Sequence, residues 1–163
     1  EQIIERKKKE VQSAKRMFWG YGGTLCHPLN QVQPFLQENM SRNEKTYLVM
    51  AYTPSEMNSQ TLETEFFSQN KNDWSRIPKE IHVYGSKYAI VCKNIERCDF
   101  IMDLSNYVIP VGNSKGRPLS EYINGRIDKA CGHWDGKAKD RLSSPVHITL
   151  CAEICDPYAV FLR

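Results

Sequence analysis

The sequence predicts a single α+β domain whose mainly antiparallel sheet has about six strands and is accompanied by three or four helices. The chain has 163 residues, of which 40% are hydrophobic and 25% charged, and this composition is typical of one globular domain with its own core. Short strand-like runs do not alternate regularly with helical segments, which favours antiparallel over parallel pairing. No apolar run approaches the roughly 18 residues of a membrane-spanning helix, so we expect no membrane partner.

The first predicted element is a basic amphipathic helix over residues 3–18, within an N-terminal segment 1–19 that precedes the rest of the α+β domain at 20–163. Its apolar face is formed by residues at helical spacing, which are Ile4, Val11, Ala14 and Phe18. Glycines within residues 20–23 end the helix, because glycine is unfavourable in a helix interior. A second helix is expected from Pro28 to about Asn39, since proline is tolerated in a first helical turn.

The pattern of apolar residues in the middle of the chain predicts a strand, a helix and a hairpin. Residues 46–53 are apolar almost throughout, which favours a strand buried on both faces. Within residues 54–80, Pro54-Ser55-Glu56 resembles the start of a helix, and Leu62, Phe66 and Phe67 form one apolar helical stripe that Asn70–Asp73 ends. Ile81–Tyr84 and Lys87–Cys92 flank Gly85-Ser86, and a glycine between two strand-like runs predicts a hairpin.

Further strands and one further helix are expected in the second half of the chain. The strands are Asp99–Leu104, Tyr107–Val111, Val146–Cys151 and Tyr158–Leu162. A loop at 112–116 leads into a helix over Pro118–Ala130, and residues 132–145 are polar and loop-like.

The charge of the chain is unevenly distributed. Residues 1–16 carry six basic and three acidic side chains, and residues 115–141 carry seven basic and four acidic ones, although the whole chain has a net charge of only +3. Two basic stretches in a mildly acidic remainder indicate binding to a polyanion. In the first stretch the candidate phosphate contacts are Lys7, Lys8, Lys15 and Arg16.

A glycine-containing loop is the main candidate phosphate site. It runs from a predicted strand into a predicted helix and consists of Gly112, Asn113, Ser114, Lys115, Gly116 and Arg117. Backbone N–H groups and a helix N-terminus attract oxyanions, and the two cations add full charges. Arg126 and Lys129 would extend this basic surface. Trp19 and Trp134 lie beside the basic segments, where an aromatic ring would stack on a base.

Four residues have the side chains of a possible zinc site. Cys131 and His133 form one closely spaced pair, and Cys151 and Cys155 form another. Zinc takes tetrahedral sulfur and nitrogen ligands, so the two pairs together would complete a site. Zinc is the one cofactor that the sequence suggests.

Cys26 and His147 are the candidate catalytic residues. Cys26 follows a glycine cluster and precedes a predicted helix, whose N-terminus would favour a nucleophilic thiolate, and His147 would be its base in a hydrolase or transferase. His147-Ile148-Thr149-Leu150 also resembles the His-x-Thr motif of the two-histidine phosphoesterases, which implies a phosphodiester-processing activity centred on His147. That family uses two such motifs, and the nearest second segment, His82-Val83-Tyr84, lacks Ser or Thr at the third position.

The six cysteines favour a reducing, intracellular location, cytoplasmic or nuclear, because a chain of this length does not need disulfides for stability. The chain begins with Glu1 in a charged segment, so we expect it to be part of a longer intracellular protein with other domains.

Together these patterns predict a phosphate-recognising module that binds nucleic acid, either DNA or RNA. The sequence leaves open whether the protein is an enzyme that uses Cys26 and His147. A third possibility is a protein-interaction domain that docks through the helix at 3–18, using Ile4, Val11 and Phe18.

Overall fold

The last strand of the chain is the centre of the fold. We describe a computed structural model that covers residues 2–23, 26–52, 62–123, 127–136 and 140–163. Strand β9 spans Pro145–Leu162, and four other strands pair with it: β6 and β2 with its first half, β5 and β3 with its second half. The order in the main path of the sheet is β1-β5-β9-β3-β4.

The described residues confirm the predicted α+β class. They contain three α-helices, which are α1 (Gln2–Ala14), α2 (Leu29–Ser41) and α3 (Leu119–Tyr122), and one 3-10 helix at Leu104–Asn106. The strands before β9 are β1 (Met17–Tyr21), β2 (Tyr47–Met50), β3 (Phe66–Ser68), β4 (Ser75–Arg76), β5 (Tyr88–Cys92), β6 (Glu96–Asp103), β7 (Tyr107–Val108) and β8 (His133–Trp134). All pairings between these strands are antiparallel, and within the described chain they form a seven-stranded sheet and a separate β7–β8 ribbon. None of the described helices combines the length and the apolar character that crossing a membrane requires.

Both faces of the sheet are covered, and successive strand residues therefore enter different core clusters. In β1, Met17 belongs to the cluster under α2 and Phe18 to a second cluster with Ile81 and Val83. In β5, Ile90 and Val91 are divided between the two clusters in the same way. This division follows from the alternation of side chains along a strand.

The first helix is shorter than the sequence predicts. The predicted helix over 3–18 ends at Ala14, Lys15 takes a positive φ of 64°, and the chain reverses into β1. Phe18 is completely buried from the strand rather than from the helix. Residues 17 and 18 form a strand rather than the last turn of a helix because Met17 and Phe18 are then buried in the cores on opposite faces of the sheet.

Two predictions for the middle of the chain are wrong. In β2, Tyr47 is exposed and residues 48–50 are half-buried, so this strand is not enclosed on both faces. The described part of the helix predicted between Pro54 and the polar run at 70–73 contains strand β3 instead, and Leu62 is 86% exposed. The segment 53–61 lies outside the described residues.

The hairpin predicted around Gly85 is also wrong. Ile81 and Val83 are buried in the second core cluster, so their segment covers the sheet instead of extending it. Gly85 does take the expected positive φ, at 59°. The real partners of β5 are β1 and β9, which lie far from it in sequence.

The C-terminal half differs from the prediction in several places. β6 begins at Glu96 instead of Asp99, the strand predicted over 107–111 ends at Val108, and β8 lies in the segment 132–145 that was predicted as a loop. The helix predicted over 118–130 is limited to α3 in the described residues, since 127–130 has no regular structure and 124–126 lies outside them. The strands predicted at 146–151 and 158–162 are parts of one strand, β9. β5 pairs with β9 on either side of its polar middle, at Ile154 and at residues 159–161, and the register shifts between these positions.

Asp103 fixes the end of β6. Its Oδ1 accepts hydrogen bonds from the backbone N–H and hydroxyl of Ser105, at 3.0 and 2.7 Å, and from the N–H of Ser144 at 2.9 Å. The hydroxyl of Ser143 donates to its Oδ2 at 2.9 Å. These hydrogen bonds, led by that of the Ser105 hydroxyl, hold the pKa of Asp103 well below its ordinary value, because they stabilise the ionised carboxylate.

Candidate nucleic-acid interface

The basic residues of α1 are less available than the sequence suggests. Lys7 is only 3% exposed, and its Nζ donates to both carboxylate oxygens of Glu10 and to the carbonyl of His82. Lys8 lies on the surface with its Nζ 3.7 Å from the carboxylate of Glu5. Lys7 is therefore part of the folded interior and cannot contact a polyanion.

The candidate contacts that follow α1 lie in or beside β1, and two of them pack against aromatic or core side chains. Lys15 is exposed and its Nζ lies 3.4 Å from the carbonyl oxygen of Gln12. Arg16 places its guanidinium 5.7 Å from the ring centre of Phe18 and 5.8 Å from that of Phe67. Trp19 packs against the core cluster under α2, which favours a structural role over stacking on a base.

The predicted phosphate loop uses half of its backbone donors in local hydrogen bonds. Three of its N–H groups bond to carbonyl oxygens of the same segment, at 2.8–3.2 Å: Lys115 to Gly112, Gly116 to Ile109 and Arg117 to Ser114. The helix that follows has only four residues, too few to supply a strong N-terminal dipole. The side chains of Asn113, Lys115 and Arg117 are exposed, and the N–H groups of residues 112–114 donate none of the hydrogen bonds found among the described residues.

The second basic stretch contains exposed residues and one cation with a structural contact, Arg141, which pairs with Asp135 at 2.9 Å. Lys129 is exposed beside Asp128, with 3.3 Å between Nζ and the carboxylate. Trp134 is 59% exposed and makes an edge-to-face contact with Tyr107. Arg126 lies outside the described residues.

The four predicted zinc ligands do not come together. Cys131 packs against the core under α2, whereas His133 is exposed on the β7–β8 ribbon. Cys155 packs against the second core cluster, and the Sγ of Cys151 contacts that of Cys98. Across the described part of the chain, no group of three or more His, Cys, Asp or Glu side chains is placed to hold a metal ion.

Cys26 and His147 have separate partners. The thiol of Cys26 donates to the carbonyl of Gly23, and burial raises its pKa, which lowers the thiolate fraction that nucleophilic catalysis needs. The Nε2 of His147 lies 2.5 Å from Asp99 on the exposed side of β9. As strand alternation requires, His147 shares that side with Thr149, whereas Ile148 is buried.

The proposed docking face of the first helix is inside the domain. Ile4 and Phe18 have no exposed surface, and Val11 packs against the core. These side chains are therefore committed to intramolecular contacts.

The structure reveals a cationic aromatic cluster that the sequence reasoning did not identify. Arg76 lies opposite Phe66 in the β3–β4 hairpin, and Arg163 exchanges two backbone hydrogen bonds with Phe66 on the other side. The two guanidinium groups lie 5.0 and 5.6 Å from the centre of the Phe66 ring. Arg163 also lies 4.5 Å from the ring of Trp74.

The same face of the sheet continues this pattern across several strands. The Nζ of Lys71 lies 4.9 Å from the ring centre of Phe161. Phe161 contacts Tyr88, which in turn contacts Tyr21, with ring centres 5.9 and 5.2 Å apart. We call the half of this face nearest β4 the arginine–aromatic surface, and define it as Phe66, Lys71, Trp74, Arg76, Phe161 and Arg163.

The three cations of the arginine–aromatic surface are not neutralised. Lys71, Arg76 and Arg163 are exposed, and within the described residues none has a carboxylate at ion-pairing distance. Elsewhere, the exposed Arg42 pairs with Glu38 and Glu44, at 3.1 and 3.7 Å. A set of unpaired cations held over half-buried rings is suited to a ligand that combines negative charge with flat aromatic groups.

The turn that carries part of this surface is locally ordered. Asn70 accepts hydrogen bonds through its Oδ1 from the N–H groups of Asn72 and Asp73, at 2.8 and 3.0 Å. The indole N–H of Trp74 donates to the carbonyl of Lys71 at 3.1 Å. The polar run at residues 70–73 between two aromatic segments was the available sequence signal, and reading it as a hairpin turn would have placed Phe66 opposite Arg76.

No protein-family model, curated protein or solved structure matches this chain. The geometry described above is therefore the basis for a functional proposal.

Proposed function

We propose that this domain binds single-stranded nucleic acid, DNA or RNA, through the arginine–aromatic surface. The observation that carries the proposal is the row formed by Arg76, Phe66 and Arg163 on neighbouring strands, with Trp74 stacked against the end of it. Unpaired bases stack on aromatic rings and on guanidinium planes, and phosphates attract the same cations. The surface supplies both kinds of contact.

A single strand fits this surface better than a duplex. The aromatic rings lie on a sheet face and are half-buried, so their accessible planes can receive only bases that are not already paired and stacked. The three unpaired cations would contact three phosphates at most, and each contact with a single strand contributes about 0.7 to the slope of log K against log salt. We therefore expect a slope of magnitude about 2.

We also propose an intracellular location, cytoplasmic or nuclear, which the free thiol state of all six cysteines supports.

The exposed Lys115, Arg117, Lys129 and Trp134 lie outside the arginine–aromatic surface as we define it. Substitutions at these positions therefore distinguish that surface from the second basic stretch as the nucleic-acid interface.

The test is a fluorescence-anisotropy titration with short labelled single- and double-stranded DNA and RNA at several salt concentrations. The double substitution Arg76→Gln/Arg163→Gln should weaken binding and reduce the salt slope by about 1.4. The matched control is Arg42→Gln/Lys45→Gln, which removes two positive charges that are already paired with carboxylates. The control should bind like the unmodified protein at moderate salt.

The stacking contribution is tested separately with Trp74→Leu and Trp134→Leu. Trp74→Leu should lose about 1–3 kcal/mol of binding free energy, whereas Trp134→Leu should lose little. The absence of any binding at low salt would reject the proposal. Binding that survives Arg76→Gln/Arg163→Gln but is lost on Lys115→Ala/Arg117→Ala would move the site to the 112–117 loop.

A further inference from the structure

We propose that Cys98 and Cys151 are a peroxide-sensitive thiol pair that forms a reversible intramolecular disulfide. Cys98 lies on β6 and Cys151 on the adjacent β9, and their Sγ atoms are 2.8 Å apart as free thiols. Both residues are half-buried, so a small oxidant can reach the pair from solvent. No other two cysteines share a hydrogen bond in the part of the chain that the structure describes.

The strand register explains why the two thiols meet. Cys151 pairs with Glu96 across the ladder, and Cys98 is two positions further along β6, on the same face as Glu96. The register shifts between Arg97 and Phe100, so an extra residue of β6 is accommodated next to Cys98. Such a bulge re-aims the side chains beside it, and here the Cys98 thiol is directed at Cys151.

The chemistry needs only the two thiols and hydrogen peroxide. The thiolate of one cysteine attacks a peroxide oxygen, the O–O bond breaks, and the products are a sulfenic acid and one water. The thiolate of the second cysteine then attacks the sulfenic sulfur, the S–S bond forms, and the hydroxyl group leaves as a second water with the remaining proton. Two thiols are oxidised by two electrons in total, and the peroxide is reduced to two waters.

The two thiols have interchangeable roles in this chemistry, because either can react with peroxide and the other then resolves the sulfenic acid. Burial, together with the hydrogen bond that it shares with Cys98, raises the pKa of the Cys151 thiol to about 12, so we expect the oxidation to accelerate as the pH rises. A dithiol reductant would restore both thiols by exchange through a mixed disulfide.

The experiment treats the full chain with hydrogen peroxide, blocks the remaining thiols with N-ethylmaleimide and maps the peptides without reduction by mass spectrometry. We expect equal losses of free thiol at positions 98 and 151, a linked peptide that has lost two hydrogens, and full recovery after a dithiol reductant. The other four cysteines are internal controls, and Cys155→Ser, a change on the same strand, should leave the linkage intact.

Two variants test the pairing. Cys151→Ser should form no linked peptide and should accumulate a sulfenic acid at Cys98 that dimedone labels. Cys98→Ser should likewise form no linked peptide and should accumulate the sulfenic acid at Cys151. Oxidation of Cys26 or Cys155 ahead of this pair, or sulfenic acid at Cys98 of the unmodified protein without any linkage to Cys151, would overturn the proposal. None of these results depends on whether the domain binds nucleic acid.

Discussion

The buried ion pair of the first helix supports a quantitative prediction. Glu10 is 1% exposed and Lys7 is 3% exposed, so both charges are removed from water when the chain folds. The substitution Glu10→Gln preserves the shape of the side chain but leaves the ammonium group of Lys7 without its counter-charge. We expect it to lower the free energy of unfolding by about 3–5 kcal/mol, the usual cost of breaking a buried pair.

The contacts show how that magnitude arises. Glu10 accepts hydrogen bonds from Lys7 Nζ at 3.1 and 3.2 Å and from the N–H of His82 at 3.0 Å. Lys7 Nζ also donates to the carbonyl of His82 at 2.9 Å. In Glu10→Gln the amide oxygen can still accept from His82, so the loss is mainly electrostatic. The double substitution Lys7→Met/Glu10→Gln removes the isolated charge. It still leaves the carbonyl of His82 without its donor, which costs about 1–3 kcal/mol, and it removes the 3.9 Å ion pair between Glu10 and Arg6.

The assay is urea unfolding of both single variants and of the double variant, combined in a double-mutant cycle. We expect the double variant to be more stable than Glu10→Gln alone, with a coupling free energy of at least about 2 kcal/mol. The matched control is the pair of Glu5 and Lys8 on the same helix, whose side chains are 59% and 40% exposed. Glu5→Gln and Lys8→Met should each change stability by less than about 1 kcal/mol, and their effects should be additive.

Additive effects at Lys7 and Glu10 would refute this reasoning, because they would mean that neither charge depends on the other inside the fold. A cost of Glu10→Gln no larger than that of Glu5→Gln would refute it as well. In that case Lys7 would be accessible to solvent, and its exclusion from the candidate interface would also fail.

Three further predictions concern local features. Because the pKa of Asp103 is lowered in the fold, its ionised carboxylate stabilises the protein above the ordinary pKa of 3.8, and this contribution is lost as the pH falls below that value. The difference in free energy of unfolding between the unmodified protein and Asp103→Asn should therefore be constant near neutral pH and shrink below about pH 4. Gly20→Ala should cost about 1–3 kcal/mol in chemical denaturation, because the added Cβ would lie 2.4 Å from the Oγ of Ser86. Cys26 should react with iodoacetamide more slowly than free cysteine does near neutral pH and accelerate as the pH rises, since burial raises the pKa of its thiol; a rate equal to that of free cysteine would contradict this.

Local patterns predicted several elements because neighbouring residues are sufficient to form them. The helix expected after Pro28 is present as α2, and Pro28 is its N-terminal cap residue. The apolar run at 88–92 is the buried strand β5, and its side chains alternate between two cores. The α+β class follows from such runs and from the lack of regular strand–helix alternation.

Other elements depended on partners that are distant in sequence. Phe66 and Phe67 were consistent with a helical stripe, but Phe67 enters the second core and pairs with Leu162 of β9. The segment of Ile81 and Val83 has the composition of a strand. In the fold these two side chains pack in the second core cluster and cover the apolar side chains on that face of the sheet. The local spacing of apolar residues cannot distinguish a helix from a strand, or a strand from a segment that covers the sheet. The stabilising free energy comes from burial against strands that are distant in sequence.

The sequence by itself determined the fold class, the position of α2 and the concentration of positive charge in two stretches of the chain. Only the tertiary structure decided which charges are available, because that depends on what lies within a few ångströms of each one. Lys7 was one of the basic residues at the start of the chain, and the fold buries it against Glu10 and the backbone of His82. Arg76 and Arg163 were isolated residues in the sequence, and antiparallel pairing brings them to the same aromatic ring without a carboxylate partner among the described residues.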